Sequence, residues 1–146
     1  MHHNTLRKIV IAGGSGFIGR LLTRHLKKSF EVVTLNRGQI NGLEGAYAII
    51  NLSGKNVNCR YTEKNKKEIL ESRTLTTRRL GEAVSKLEAP PEVWLQMSSA
   101  TIYRHSKDKP MDEKFGEIGS DFSMDVCKEW ERTFNELPLK EQGELS

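Results

Sequence analysis

The residues best suited to chemistry lie near the amino end of this chain: Gly13-Gly14-Ser15-Gly16-Phe17-Ile18-Gly19. They follow the apolar run Ile9-Val10-Ile11-Ala12 and lead into Arg20-Leu21-Leu22, with apolar residues at helical spacing from Phe17 onward. A buried parallel strand, a glycine turn and a helix in that order form a dinucleotide-binding fingerprint. Gly13 permits a tight turn off the strand, Gly16 leaves no Cβ between backbone and pyrophosphate, and Gly19 lets the helix pack close to the sheet. The helix N-terminus then offers free N–H groups and a partial positive charge to phosphate oxygens. The competing account is a glycine-rich strand-to-helix turn with no ligand.

A second position of interest follows the next predicted strand, Glu31 to Leu35, where Asn36 and Arg37 stand. In a fold of this kind the ribose 2′ position lies near that strand's carboxyl end, and a carboxylate there accepts the 2′-hydroxyl of NAD. A neutral amide and a planar cation suit a 2′-phosphate instead, so NADP is expected over NAD. Arg37 could also be an ordinary exposed loop cation. A third position is Ser98-Ser99-Ala100-Thr101-Ile102-Tyr103, small hydroxyl residues after the apolar stretch Val93-Trp94-Leu95. Strand carboxyl ends form the mouth of an open α/β sheet, where ligands bind. Tyr103 is the one tyrosine near that mouth and a candidate acid/base; its alternative is a packed loop aromatic.

The elements that must position these residues alternate strand and helix. A first helix is expected from Gly16 to Lys28, with Ile18, Leu22 and Leu26 in one stripe and Phe17 and Leu21 beside it. His25 reads as a helix-surface or boundary residue. Ala46 to Leu52 reads as a third strand ending at Ser53-Gly54. Between Arg37 and Tyr47 the chain is shorter than the dozen or more residues of an ordinary parallel crossover, and would have to run nearly extended along the sheet. Either a strand and helix are missing, or the chain is interrupted between Arg37 and Gly45; the interruption is the expectation. Thr62 could cap a long helix from Glu63 to Leu87, with Ile69, Leu80, Ala83, Val84 and Leu87 inward and Lys64, Lys66, Lys67, Glu68 and Glu71 outward. Pro90 and Pro91 end it and lead into a fourth strand, Glu92 to Ser99. Arg104 to Ser120 reads as a polar loop over the mouth. A last helix, Phe122 to Glu136, carries Val126, Trp130, Phe134 and Leu137 as a core stripe.

The fold class that follows is α/β: a Rossmann-like, doubly wound parallel sheet with helices on both faces. Its 146 residues, 36% hydrophobic and 29% charged, fit one globular domain. The net charge of +4 is spread along the chain, with acidic residues interleaved, which argues for a solvated surface over a nucleic-acid patch. Cys59 and Cys127 have no metal-like spacing and suit reduced thiols in a cytoplasmic protein. No metal site is expected. No apolar run approaches a membrane span, and no signal peptide is expected.

Five motifs occur in order: Gly13 to Gly19; Asn51-Leu52-Ser53-Gly54; Glu71-Ser72-Arg73 with Thr76-Thr77; Ser98-Ser99-Ala100; and Val126-Cys127-Lys128-Glu129-Trp130-Glu131. The series resembles the extended short-chain dehydrogenase/reductase superfamily, and within it the atypical, sugar-nucleotide-epimerase-like group of epimerase family proteins. The resemblance spans about Lys8 to Glu136. It implies a parallel Rossmann sheet, bound NADP(H), a small-molecule substrate and a homodimer. It implies Gly13, Ser15, Gly16, Phe17 and Ile18 at the pyrophosphate, Arg37 at the 2′-phosphate, and Leu52 and Ser53 along the adenosine side, with Gly54 also at the cofactor. Ser99 stands where the superfamily places its catalytic serine or threonine. Two departures stand out. The tyrosine and lysine used by active members are replaced by Ser123 and Cys127, which supply neither an adequate acid nor a fixed positive charge. Relatives also continue past this chain's end into further strands and a substrate lobe, so an incomplete NAD(P)-binding domain over 1–146 is expected, with residues missing near 38–45 and after 137.

Overall fold

The computed structural model describes residues 6–36, 39–55, 59–98 and 122–137. Four strands form one parallel sheet: β1 (Lys8–Ala12), β2 (Glu31–Leu35), β3 (Ala48–Asn51) and β4 (Val93–Gln96), in the order β2-β1-β3-β4. The central strand β1 is covered on both faces, and accordingly its sequence is a continuous apolar run rather than an alternation. Val10 packs towards one face and Ile11 towards the other, and neither has any solvent exposure.

Helix α1 (Phe17–Leu26) lies on the face of Ile9, Ile11, Ala48 and Ile50. Helices α2 (Glu63–Ser85) and α3 (Phe122–Asn135) belong to the opposite layer, where Leu80, Val84, Phe134 and Leu137 meet Val10, Ile49 and Trp94. The sheet is therefore doubly wound, as expected. Thr62 caps α2, its hydroxyl accepting from the Asn65 N–H at 3.2 Å. Gly81 lets Leu137 approach the α2 backbone closely. The apolar stripe expected of α1 is only half realised. Leu22 and Leu26 pack on the sheet, whereas Phe17, Ile18 and Leu21 are largely exposed, Phe17 by 74%. His25 is exposed, as expected.

From β2 the chain passes to β3 on the far side of β1 without a helix. The Gln39 N–H donates to the Asn36 carbonyl, and the Asn36 N–H donates to Gln39 Oε1, both at 3.0 Å. Residues 39–42 are exposed; Leu43 and Ala46 then turn into the core beside Leu35. Gly42 and Gly45 hold φ values of +82° and +72°, which other residues rarely adopt. No interruption falls within 39–47. Arg37 and Gly38, where the expected interruption would begin, lie outside the described residues; over 39–47 Leu43 and Ala46 supply the apolar cover that a crossover helix ordinarily brings. The Glu44 carboxylate accepts the N–H groups of Glu88 and Ala89, tying this crossing to the turn after α2.

Candidate functional site

The strand order reverses direction between β1 and β3: β1 continues to β2 on one side, β3 to β4 on the other. The carboxyl ends of strands at such a switch point form a crevice. A cleft of about 200 Å³ occupies that place. Gly13 and Ser15 follow β1, Asn36 follows β2, and Ser53 and Gly54 follow β3; all five line the cleft. The volume lies below the roughly 300–1,000 Å³ of a drug-sized ligand site, so it suits one end of a dinucleotide. A shallower depression of about 550 Å³ lies at the opposite, amino ends of the strands, around Arg7, Tyr47 and Glu92.

The glycine loop is shaped by close backbone approach. Gly13 sits at φ +81°, and a Cβ there would lie 2.8 Å from the Leu52 carbonyl carbon. A Cβ at Gly19 would lie 2.6 Å from both the Gly13 oxygen and the Gly14 Cα. Gly16 differs. A Cβ there would meet only the Gly13 oxygen, at an ordinary 3.6 Å, and its φ of −75° is open to any residue. Packing within the protein therefore does not demand glycine at 16, whereas close approach of a ligand would.

Gly16 is also the N-cap of α1, and no side chain caps it. The first bond of the helix ladder runs from the Arg20 N–H to the Gly16 carbonyl at 2.9 Å. The N–H groups of Phe17, Ile18 and Gly19 precede that ladder, and the first turn contains no acidic side chain to answer their partial charge. An anion at this loop would meet both needs.

Two polar devices hold the loop after β3. Asn51, fully buried, donates through Nδ2 to Thr77 Oγ1 (2.9 Å) and Gln96 Oε1 (3.0 Å), and its Oδ1 accepts the Ser53 N–H (3.2 Å). Arg73 donates to the carbonyls of Ile69 (2.9 Å) and Lys55 (3.2 Å), and its guanidinium lies over Trp130, 5.2 Å from the ring centroid. Burial pushes its pKa below the ordinary arginine value, partly offset by Cys127 and Tyr61, yet an arginine remains charged. The Ser72 hydroxyl accepts the Lys55 N–H at 2.8 Å. Gly54 fits against the Arg73 guanidinium, where a Cβ would come within 2.8 Å of Cζ.

Of the remaining residues expected at the site, Leu52 packs with the core under α1 rather than lining the cleft. Phe17 and Ile18 open α1 beside it, exposed. Arg37, Ser99 and Tyr103, with the loop 104–120, lie outside the described residues. Ser98 is described, and its hydroxyl donates to the Glu131 carboxylate of α3. Of the two residues expected where active members carry the tyrosine and lysine, Ser123 is half-buried and Cys127 is buried. One wall of the cleft is formed by Ser72, Thr76 and Arg79 of α2, to which the resemblance assigns no cofactor role. Their spacing of four and three residues was visible in the chain; that this stripe faces the end of β2 was not. Among the described residues no cluster of three or more His, Cys, Asp or Glu could hold a metal, and no helix is long and apolar enough to cross a membrane.

A parallel sheet with a glycine loop and uncapped helix start at its switch point defines a Rossmann-type dinucleotide-binding fold. No family model matches the chain. It is 31% identical over 139 residues to epimerase family protein SDR39U1 of Homo sapiens, an alignment covering 85% of this chain and 47% of that protein. Epimerase family protein YfhF of Bacillus subtilis is 31% identical over 145 residues, 85% of this chain and 48% of its own. The crystal structure of human SDR39U1 (isoform 2) with NADPH superposes with a TM-score of 0.82 at 30% identity, over 91% of this chain and 50% of that one. A nucleoside-diphosphate sugar epimerase from Corynebacterium glutamicum gives 0.70 at 26% identity, over 90% and 31%. The chain is a relative of the epimerase family proteins and has the fold of the nucleoside-diphosphate sugar epimerases. It spans about half the length of the curated relatives it matches.

Proposed function

We propose that this chain binds NADP(H) as the nucleotide-holding part of an epimerase-like oxidoreductase acting on a small molecule. The observation that carries the reading is Gly16: a glycine that the protein's own packing does not require, at the uncapped start of α1. The NADPH bound in the human relative's structure supports the same cofactor here. When bound, the nicotinamide would supply a hydride; Gly13, Ser15 and the first turn of α1 would hold the diphosphate, and Asn36 and Arg37 would face the phosphorylated ribose. Ser99 would hydrogen-bond the reacting oxygen. Calorimetry tests this. NADPH should bind more tightly than NADH, and Arg37→Asp should remove about ten- to a hundred-fold of NADPH affinity while leaving NADH nearly unchanged. Equal losses would discharge Arg37 from reading the phosphate, and no heat from either nucleotide would end the proposal.

Gly16→Ala is the complementary test. It should lower stability by no more than about 1 kcal/mol, the scale of the N-cap preference for glycine over alanine, while weakening NADPH about ten-fold or more. Unchanged binding would remove the argument from Gly16.

A second reading, a sensor or scaffold that binds NADP without turning it over, is favoured by one observation. By the resemblance, Cys127, a buried thiol, would stand where active members carry the lysine. NADPH oxidation against a panel of carbonyls and quinones separates the two: turnover abolished by Ser99→Ala supports the enzyme, and none with full NADPH binding supports the sensor. Two cysteines outside any disulfide suit a cytoplasmic setting, and a homodimer is the assembly we propose.

A further inference from the structure

We infer that Arg79 is a second reader of the nucleotide's 2′-phosphate, contributed by α2 to the cleft that Asn36 also lines; the inference rests on the NADP(H) reading above. The sequence shows Arg78-Arg79 as an ordinary basic pair on a helix surface. The structure separates them. Arg79 lines the cleft with Ser72 and Thr76, seven and three residues before it, and Arg78 does not. Residues spaced so share one helix face. The adjacent face, with Thr77, Leu80 and Val84, is buried in the core, so the orientation of α2 is fixed and the Arg79 stripe is held towards the cleft.

Three further observations give that placement its chemistry. First, Arg79 is the one ionisable residue among the described residues lining the cleft, and no carboxylate opposes it. The other polar groups there are hydroxyls, amides and backbone. A cavity with one guanidinium and no anion selects a negatively charged ligand group. Second, Arg79 forms no salt bridge with any described residue, although Glu82 stands three residues on. Third, the crossing from β2 to β3 lacks a helix among its described residues, and Gln39 and Ile40 of that crossing line the same cleft as Arg79. Asn36 of the strand end and Arg79 of α2 line the same cleft, so a phosphate on the ribose would meet the Arg79 cation there.

Calorimetry on the intact chain distinguishes this from a merely apolar or stacking role. Arg79→Gln should weaken NADPH about ten-fold, the low end for a charged contact at an exposed site, and change NADH less than about two-fold. Arg79→Lys should keep most of the NADPH affinity. The slope of log affinity against log salt should be shallower for Arg79→Gln than for the parent. The urea midpoint should not move, since Arg79 is exposed. Equal loss for NADPH and NADH would assign Arg79 to the adenine or to packing and overturn the inference; so would unaltered NADPH binding. A parent chain that binds neither nucleotide refutes the NADP(H) reading itself, whereas a parent that binds NADPH with an indifferent Arg79→Gln refutes the Arg79 assignment alone.

Discussion

Gly19→Ala is expected to unfold the glycine loop and with it the nucleotide site. The added Cβ would lie 2.6 Å from the Gly13 oxygen and from the Gly14 Cα, and 2.8 Å from the Gly14 carbonyl carbon. All three are backbone atoms, so no side chain can swing away. Gly13 cannot retreat, because its far side already abuts Leu52 and Ser53 backbone. Relief requires α1 to move off the sheet, which would strip Leu22 and Leu26 from Ile9, Ile11 and Ile50. A loss of about 3 kcal/mol or more follows, at the upper end for overpacking. The measurement is the shift of the urea midpoint at constant m. NADPH affinity should fall more than about a hundred-fold, since misplacing the N–H groups removes more than one charged contact. A variant as stable as the parent would show that the loop is not packed as described. The contrast with Gly16→Ala, whose added methyl meets no close atom, separates glycines kept for packing from one kept for a ligand.

Asn51→Ala is expected to cost about 2–4 kcal/mol, through three lost hydrogen bonds rather than a lost side-chain volume. Asn51 ends β3 and joins it to α2 through Thr77, to β4 through Gln96, and to its own following loop through the Ser53 N–H. The Thr77 hydroxyl has no exposure and the loop N–H would lose its acceptor. Gln96 is cushioned, because its Oε1 also accepts from the Trp94 indole. The check is a double-mutant cycle with Thr77→Val. The pair should be less than additive, by about 0.5–1.5 kcal/mol, because each change removes the same contact. Strict additivity would show that Asn51 and Thr77 do not act together. NADPH binding should weaken as well, since Ser53 lines the cleft and is anchored by Asn51.

These two residues illustrate how unevenly the chain displays its structure. The limits of β2, Glu31 and Leu35, and the start of α2 after Thr62 are visible because caps and apolar runs act locally. The layers of the sheet follow from the same periodicities. The partner of an apolar stripe does not: Ile18 belongs to the helical stripe of α1 yet is 48% exposed, because periodicity states which residues share a face and not what covers it. Asn51, an amide in the run Ala48-Ile49-Ile50, was legible as an oddity, but its partners lie 26 and 45 residues away. The cleft is similar. Gly13 and Asn36 announce themselves by local chemistry, whereas Ser72, Thr76 and Arg79 become a wall only when α2 is docked on the sheet. The short crossing after β2 was visible as a length, and its apolar filling by Leu43 and Ala46 required the folded core.

That crossing has a consequence for how such a domain can change. Between Asn36 and the inward-turning Leu43, the described residues Gln39 to Gly42 are exposed and bear no core packing, while Gln39 and Ile40 form the lip of the cleft. Lengthening an exposed span costs little chain entropy, about 0.6 kcal/mol per doubling. Grafts of other lengths and compositions into this span could therefore be accommodated by an unaltered interior, and each would redraw which ribose the domain admits.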